Sequence, residues 1–492
     1  MVLAIDQGTT SSRAIIFDVS GAILGQGYAE LPQYYPQPGW VEHDPEEIWS
    51  TVTEAIKQAL VASNVSPAEI KAVGVANQRE TTIIWDRRTG KPIHRAIVWQ
   101  CRRTSDICDR LRAEGWEEEI HNATGLFIDP YFSATKIRWL LDNVEGAQEA
   151  AEKGHLAFGT VDSWLLWKLS GGHIHATDYT NASRTLLFDI RAKSWNQKLL
   201  SHLKIPRSLM PQVKYSSVMY GKTNCPDVLP KPVTISGVAG DQQASLFGQF
   251  AYQPGQTKTT YGTGCFLLQH TGAEPKVSAH GLLATLAIDE TGGPAYALEG
   301  AVFNAGSAVQ WLRDGLQVIT SSAESEAYAE QVSDTLGVYV VPAFNGLGAP
   351  YWNASVRGAM FGITRGTARH HIIRATLESI AYQTADVLDA LAEDSGIRIP
   401  ELFVDGKATE NNFLMQFQAD IAGVPVVRPV MQETTVLGAA LLAGIGAGVW
   451  SSAQQAQEIA RLDRVFEPAM GEEQRHALRN GWRRAVAAAT QF

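Results

Sequence analysis

Apolar and polar positions alternate through the first thirty residues of the chain. VLAID (2–6), a short polar loop, RAIIFD (13–18), a turn at Ser20 and Gly21, and a further apolar run predict a meander of three strands. The period then changes. Asp44 stands where an N-cap belongs, Pro45 suits the first helical position, and Glu47 would close a capping box. Ile48, Val52, Ala55, Ile56, Ala59 and Leu60 recur at helical spacing, so one face of this helix is expected to pack on the preceding sheet.

A weaker copy of this order begins near the middle of the chain. QTKTTYGTG, CFLLQHTG, GLLATLAID and AYALEGAVF read as strands, and NAGSAVQWLRDGL reads as a helix. The recurrence predicts a diverged duplication. Later, Ile373, Leu377, Ile380, Thr384, Val387 and Leu391 mark one face of a long buried helix. PAFNGLGAPYWNASVRG, dense in Gly, Pro and Asn with embedded aromatics, reads as an ordered loop. The chain has 492 residues, more than one core usually holds, so two domains with a cleft between them are expected. The boundary is placed near residues 245–255, giving domains 1–248 and 249–492.

Composition narrows the function. Hydrophobic residues at 45% and charged residues at 19% exclude a disordered chain. A net charge of −10 without a basic run argues against nucleic acid or an anionic membrane as the main partner. The start MVLAIDQGTT has no basic region before an apolar stretch, and no apolar run reaches spanning length, so a cytoplasmic protein acting on small molecules is expected. Cys101, Cys108, Cys225 and Cys265 fit neither a metal knuckle nor a disulfide framework and read as reduced thiols.

The candidate chemistry lies in three loops. In DQGTTSSR (6–13), Gly8 permits a tight turn, Thr9, Thr10 and Ser11 offer donors, Arg13 matches phosphate oxygens, and Asp6 can hold magnesium through water. The same segment also satisfies a plain hairpin. A second loop, TTYGTG (259–264), follows GDQQ (240–243), and a third glycine-containing junction lies in VDGKATENNFLMQF (404–417).

Three such loops in this order resemble the actin-like ATPase fold: α/β, with two ribonuclease-H-like domains, a phosphate loop in each, an adenosine loop in the second, and ATP in the interdomain cleft. Within that superfamily, NQRETT (77–82), WQCRRT (99–104), DPYFSATKIRW (129–139), DYTNASRT (178–185), GDQQ, YGTGCF, GAPYW and GAMFGITRG resemble the FGGY carbohydrate kinases, above all those acting on glycerol. The resemblance runs nearly end to end.

It implies transfer of the γ-phosphate of ATP to glycerol, giving sn-glycerol 3-phosphate, with Mg2+. It further implies that Arg79, Glu80, Tyr131, Asp241 and Gln242 hold the glycerol hydroxyls while Trp99 and Phe266 face its carbons. Asp241 would be the general base and Asp6 the magnesium anchor. Thr9, Thr10, Ser11, Arg13 and Thr263 would hold phosphates, and Gly306, Gln310 and Asn411 would contact the nucleotide. A homo-oligomer, dimer or tetramer, without nucleic acid or membrane insertion, is implied as well.

The residue chemistry agrees, since a triol needs several hydrogen-bonding groups and an apolar wall. Without the resemblance, Trp99 and Phe266 read as core residues and Arg79 with Glu80 as a solvated pair. A kinase of another polyol or ketose, or an actin-like ATPase that phosphorylates no metabolite, remains an alternative.

One position departs from the family pattern. Asp405, Gly406 and Lys407 stand where the family usually has Asp-Gly-Gly. A side chain at the last position is expected to clash or to force a positive φ costing about 1 kcal/mol, or else to place its ammonium on a phosphate. Lys407 is therefore counted with the ATP-binding residues.

Overall fold

The structure is a computed structural model describing residues 1–492. The predicted meander forms as β1 (Val2–Gln7), β2 (Ser11–Phe17) and β3 (Ile23–Glu30), each antiparallel to the next. β4 (Ala72–Asn77) runs parallel to β1, β6 (Thr234–Gly240) parallel to β4, and β5 (Ser217–Lys222) antiparallel along β6. The resulting order is β5-β6-β4-β1-β2-β3.

Strand alternation sorts these residues between two cores. Leu3, Ile5, Ile16, Val73 and Val75 share one with α1 (Pro45–Ser63), while Val2, Ala4, Ile15, Phe17 and Ala76 point to the opposite face. In α1, Ile48, Val52, Ala55, Ile56 and Ala59 are buried and Leu60 is half-buried. Asp44 caps the helix by accepting from the Glu46 amide at 2.9 Å. The expected capping box with Glu47 does not form, because its carboxylate accepts from the Tyr34 hydroxyl at 2.7 Å. A tertiary partner wins over the local one.

The second sheet contains β7 (Thr257–Tyr261), β8 (Cys265–Gly272), β9 (Leu283–Ile288), β10 (Pro294–Val302), β11 (Leu402–Asp405), β12 (Val426–Pro429) and β13 (Leu462–Phe466). Its order is β9-β10-β8-β7-β11-β12-β13. With β9 set aside, the strand directions repeat those of the first sheet, and so does the order of the first four strands; the last two are exchanged, the edge strand preceding its neighbour in the first sheet and following it in the second. The duplication read from the sequence is visible as topology. The helix predicted after β10 is α3 (Gly306–Asp314). The long predicted helix is α4 (Arg369–Ser395), whose buried face packs on β8, β10 and α5 (Asn412–Ala422). The segment 342–358 has only isolated bridges but buries Ala343, Leu347, Ala349 and Val356, as an ordered loop should.

Two helices lie between the inner faces of the sheets. α2 (Asp241–Gly248) continues directly from β6 and rests on β7, β8 and β9. α6 (Thr434–Gly446), from the C-terminal half of the chain, covers β1, β4 and β6 of the first sheet. Its sequence, TTVLGAALLAGIG, is small and apolar all round, as full burial demands. Glycine sets the closeness of this packing: a Cβ on Gly438 would stand 1.9 Å from the Ala244 carbonyl oxygen. No helix is long and apolar enough to cross a membrane.

Candidate active site

The first sheet delivers three chain segments to one edge. β1 and β4 run side by side to Gln7 and Asn77, and β6 ends beside Asn77 at Gly240. The loop after β1, the NQRETT turn and the start of α2 therefore emerge together at the carboxyl ends of parallel strands, where open α/β sheets bind ligands.

The loop after β1 is a tight turn closed by Gly8 N–H donating to the Ser11 carbonyl at 2.9 Å. Gln78 Nε2 donates to the Gly8 carbonyl and to Gln7 Oε1, each at 3.0 Å, and Trp99 Nε1 donates to Thr9 Oγ1 at 2.9 Å. Thr9 is half-buried and Thr10 exposed. Asp6 and Arg13 lie opposite each other on β1 and β2 and share the inner face. The Arg13 guanidinium pairs with Glu433, at the start of α6.

In the NQRETT turn Glu80 adopts φ +61°, a left-handed conformation that costs a residue other than glycine about 1–2 kcal/mol. Ser133 Oγ donates to the Glu80 carbonyl at 3.0 Å, and Thr81 N–H to the Arg79 carbonyl at 2.7 Å. Arg79 and Glu80 are 4% and 2% exposed, so the solvated-pair reading fails. Arg79 donates from Nη1 to Glu299 Oε2 (2.6 Å) and Gln243 Oε1 (3.2 Å), and from Nη2 to Glu299 Oε1 (3.0 Å). Its Nε lies 3.3 Å from Asp241 Oδ1. Arg184 joins the cluster, donating to Glu80 Oε1 at 2.6 Å and to Glu299 Oε1 at 3.1 Å. Burial works against ionised Glu299, yet Arg184 and Arg79 overcome it and hold the carboxyl at about 2.

Asp241 opens α2, where the helix terminus favours negative charge. Asp6 faces it: burial and the Asp241 charge push the Asp6 carboxyl up to about 7, against the pull of Arg13. Trp99 and Tyr131 meet edge to face with ring centroids 5.5 Å apart, and both are half-buried rather than core residues.

The second sheet closes the site from the other side. Residues directly opposite in a ladder share a face, and the register pairs Lys258 with Leu268, Leu268 with Glu299, Thr260 with Phe266, and Thr260 with Asp405. Strand alternation then places Lys258, Thr260, Phe266, Glu299 and Asp405 on one face, toward α2. Phe266 is half-buried there. The Lys258 ammonium donates to the Gln242 side-chain carbonyl and to Thr260 Oγ1. Asp405 Oδ2 accepts from Ser245 Oγ at 2.8 Å and from Thr434 Oγ1.

The loop after β7 folds onto the start of α3. The Ala305 and Ser307 amides donate to the Thr263 carbonyl and the Gly306 amide to the Gly262 carbonyl, leaving the Thr263 side chain exposed. Gln310 is exposed one turn along α3. The neighbouring junction corrects an expectation. Gly406, not Lys407, takes the positive φ, +92°, and packs on Tyr261. Lys407 begins a 3-10 turn without clash, its side chain 90% exposed and 3.5 Å from Glu410. Asn411 caps α5 through Oδ1 to the Leu414 amide at 2.8 Å and donates to Ser325 Oγ at 3.3 Å.

Residues 1–248 match the N-terminal domain of the FGGY family of carbohydrate kinases, and residues 257–447 match its C-terminal domain. The chain belongs to this family. It is 56% identical over 491 residues to the glycerol kinase of Carboxydothermus hydrogenoformans, covering 100% of this chain and 98% of that one. It is 57% identical over 485 residues to glycerol kinase 2 of Pseudomonas aeruginosa, covering 99% and 96%. The solved structure of Plasmodium falciparum glycerol kinase with ADP superposes with a TM-score of 0.93 at 36% identity, covering 99% of this chain and 98% of that one. A xylulose kinase of Lactobacillus acidophilus, TM-score 0.89 at 21% identity over 100% and 98%, shares the two-domain actin-like fold.

Five polar residues of this FGGY kinase were not among the sequence candidates: Gln78, Arg184, Gln243, Lys258 and Glu299. Arg184 stands inside DYTNASRT. Lys258 and Glu299 are charged residues at inward positions of apolar strands, a signal that flags a buried partner without naming it.

Proposed function

We propose that this FGGY kinase transfers the γ-phosphate of ATP to a primary hydroxyl of glycerol, with Asp241 as the general base. The reading rests above all on one arrangement: Asp241 at the head of α2, 3.3 Å from the buried guanidinium of Arg79 and facing Asp6. The full-length likeness to glycerol kinases supports the substrate.

Glu80, Tyr131, Gln242 and the remaining Nη2 hydrogen of Arg79 hold the hydroxyls, with Trp99 and Phe266 against the carbons. The hydroxyl oxygen attacks the γ-phosphorus in line as its proton passes to Asp241, and the bond to the bridging oxygen breaks to release ADP. Thr9, Thr10, Ser11 and Thr263 hold phosphate oxygens. Arg13 joins them on exchanging Glu433 for the anion. Gly306, Gln310, Lys407 and Asn411 border the nucleotide. The adjacent Asp6 and Asp241 carboxylates fit a divalent cation, and Asp6 is the residue that would hold Mg2+, which supplies charge neutralisation to the triphosphate when bound.

The halves 1–248 and 249–492 form the two domains of this proposal. The four free cysteines suit a reducing cytoplasm. β13, a sheet edge carrying exposed Leu462 and Val465, supports assembly into a dimer or tetramer.

The test is ADP release with magnesium-ATP and glycerol, xylulose, erythritol or no acceptor. Glycerol-dependent turnover should fall by about 100- to 10,000-fold in Asp241→Ala. Turnover without an acceptor would replace the reading with an actin-like ATPase, and preference for xylulose or erythritol would replace the substrate.

A further inference from the structure

Glu299 is the one residue of the second sheet that reaches the NQRETT turn with a charge. It leaves β10 on the face toward α2 and ends, 2% exposed, between two arginines of the N-terminal half. Both carboxylate oxygens are used. Oε2 accepts from Arg79 Nη1, and Oε1 accepts from Arg79 Nη2 and Arg184 Nη2. The bidentate fork fixes the plane of the Arg79 guanidinium. The third nitrogen of that plane, Nε, is the one beside Asp241. Arg184, oriented by the same carboxylate, holds Glu80 Oε1. One carboxylate thus sets the orientation of two groups that face the substrate and, through Arg79, of the base.

We propose that Glu299 is a positioning residue for the reaction, reaching from the second sheet to hold Arg79 and Arg184 in the geometry that orients Asp241 and Glu80. This rests on the assignment of Asp241 and Glu80 above. A merely structural ion pair would respond differently. Its loss would lower the fraction of folded enzyme, and so kcat, while leaving the KM of the surviving molecules alone. Loss of a positioning residue moves the glycerol side of the site and spares the nucleotide side, which is built by α3 and the Gly406 junction.

The experiment compares wild type with Glu299→Gln and Glu299→Asp, measuring glycerol KM, ATP KM and kcat separately, with folding followed by circular dichroism. Glu299→Gln keeps the shape but sets an amide N–H2 against a guanidinium. Glu299→Asp keeps the charge and shortens the reach by one methylene. The expected result is a fall of about 100-fold in kcat/KM for glycerol in Glu299→Gln, as misplacement near 1 Å produces. A smaller fall is expected in Glu299→Asp, and ATP KM should stay within about twofold in both. Unchanged kcat/KM for glycerol per folded molecule, or equal shifts in both KM values, overturns the proposal. If Glu299→Gln does not fold, Glu299→Asp decides by the same criterion. A wild type without glycerol-dependent turnover removes the functional reading itself, whereas an active wild type with indifferent variants removes only Glu299.

Discussion

Lys258 donates from a buried ammonium to the side-chain carbonyl of Gln242, tying the first strand of the second sheet to the helix that Asp241 opens. Burial draws the ammonium down to about 8, with Asp405 and Asp241 holding it up. The Lys258 donor holds the Gln242 carbonyl, which leaves its amide N–H2 for the hydroxyl contact proposed above. Lys258→Met keeps most of the side-chain volume and removes the donor. Glycerol KM should rise about tenfold, the cost of one disordered polar contact, with ATP KM nearly unchanged. Steady-state kinetics in both substrates checks the split.

As the proposed magnesium anchor, Asp6 should make the enzyme sensitive to acid and to magnesium together. Its carboxyl sits at about 7 in the folded protein against 3.8 as the ordinary value. Below pH 7 it holds a proton where magnesium would bind, so kcat/KM for ATP should fall by up to about tenfold per pH unit, and raising magnesium should move that limb to lower pH.

The same shift acts on stability in metal-free protein. Between pH 4 and 7 the native state keeps a proton that the unfolded chain has released, so this contribution stabilises at low pH and is lost as pH rises through 7. Asp6→Asn should therefore melt higher than wild type at pH 8 by about 2 °C or more, with the gain shrinking toward pH 5. Melting curves in EDTA at the two pH values provide the check.

The parts of this fold that were legible in the sequence are those whose signal is local. β1 to β3 and α1 follow from alternation and period, and α4 from one apolar face. The capping box at Asp44 failed because Glu47 has a partner in Tyr34, thirteen residues back, that no local pattern announces. α6 was not read from the sequence at all, and an all-apolar helix has no face that would say which sheet it covers. Glu299 and Arg79 are 220 residues apart in sequence and stem from different sheets, so only the packing of the two halves brings them together. The left-handed backbone at Glu80 was equally silent, because glycine is the residue that advertises such positions.

Trp99 ties the loop after β1 to the aromatic wall through one hydrogen bond. Its indole N–H holds Thr9 in the loop after β1, and its ring meets Tyr131 in the proposed glycerol site. Trp99→Phe keeps the apolar wall and deletes the donor. Thr9 then loses its anchor, so ATP KM should rise about three- to tenfold, the worth of a neutral hydrogen bond, while glycerol KM changes less. A larger effect on glycerol than on ATP would mean that the wall, not the bond, is what Trp99 contributes.

Gly406 and Lys407 separate steric need from charge in the proposed nucleotide loop. A Cβ on Gly406 would lie 2.4 Å from the Tyr261 carbonyl oxygen, at a φ of +92° that side chains rarely adopt. Gly406→Ala must therefore push β11 from β7 or distort the turn, at a cost of about 1–3 kcal/mol, and should lower the melting temperature together with ATP affinity. Lys407 carries no such constraint, being in a 3-10 turn with its ammonium in solvent near Glu410. Lys407→Gly should leave the melting temperature within the range of a surface change and raise ATP KM by about two- to fivefold at low salt, an effect that added salt erases. ATP titrations at two ionic strengths distinguish a phosphate-facing ammonium, whose loss is salt-dependent, from a spectator lysine, whose loss changes nothing.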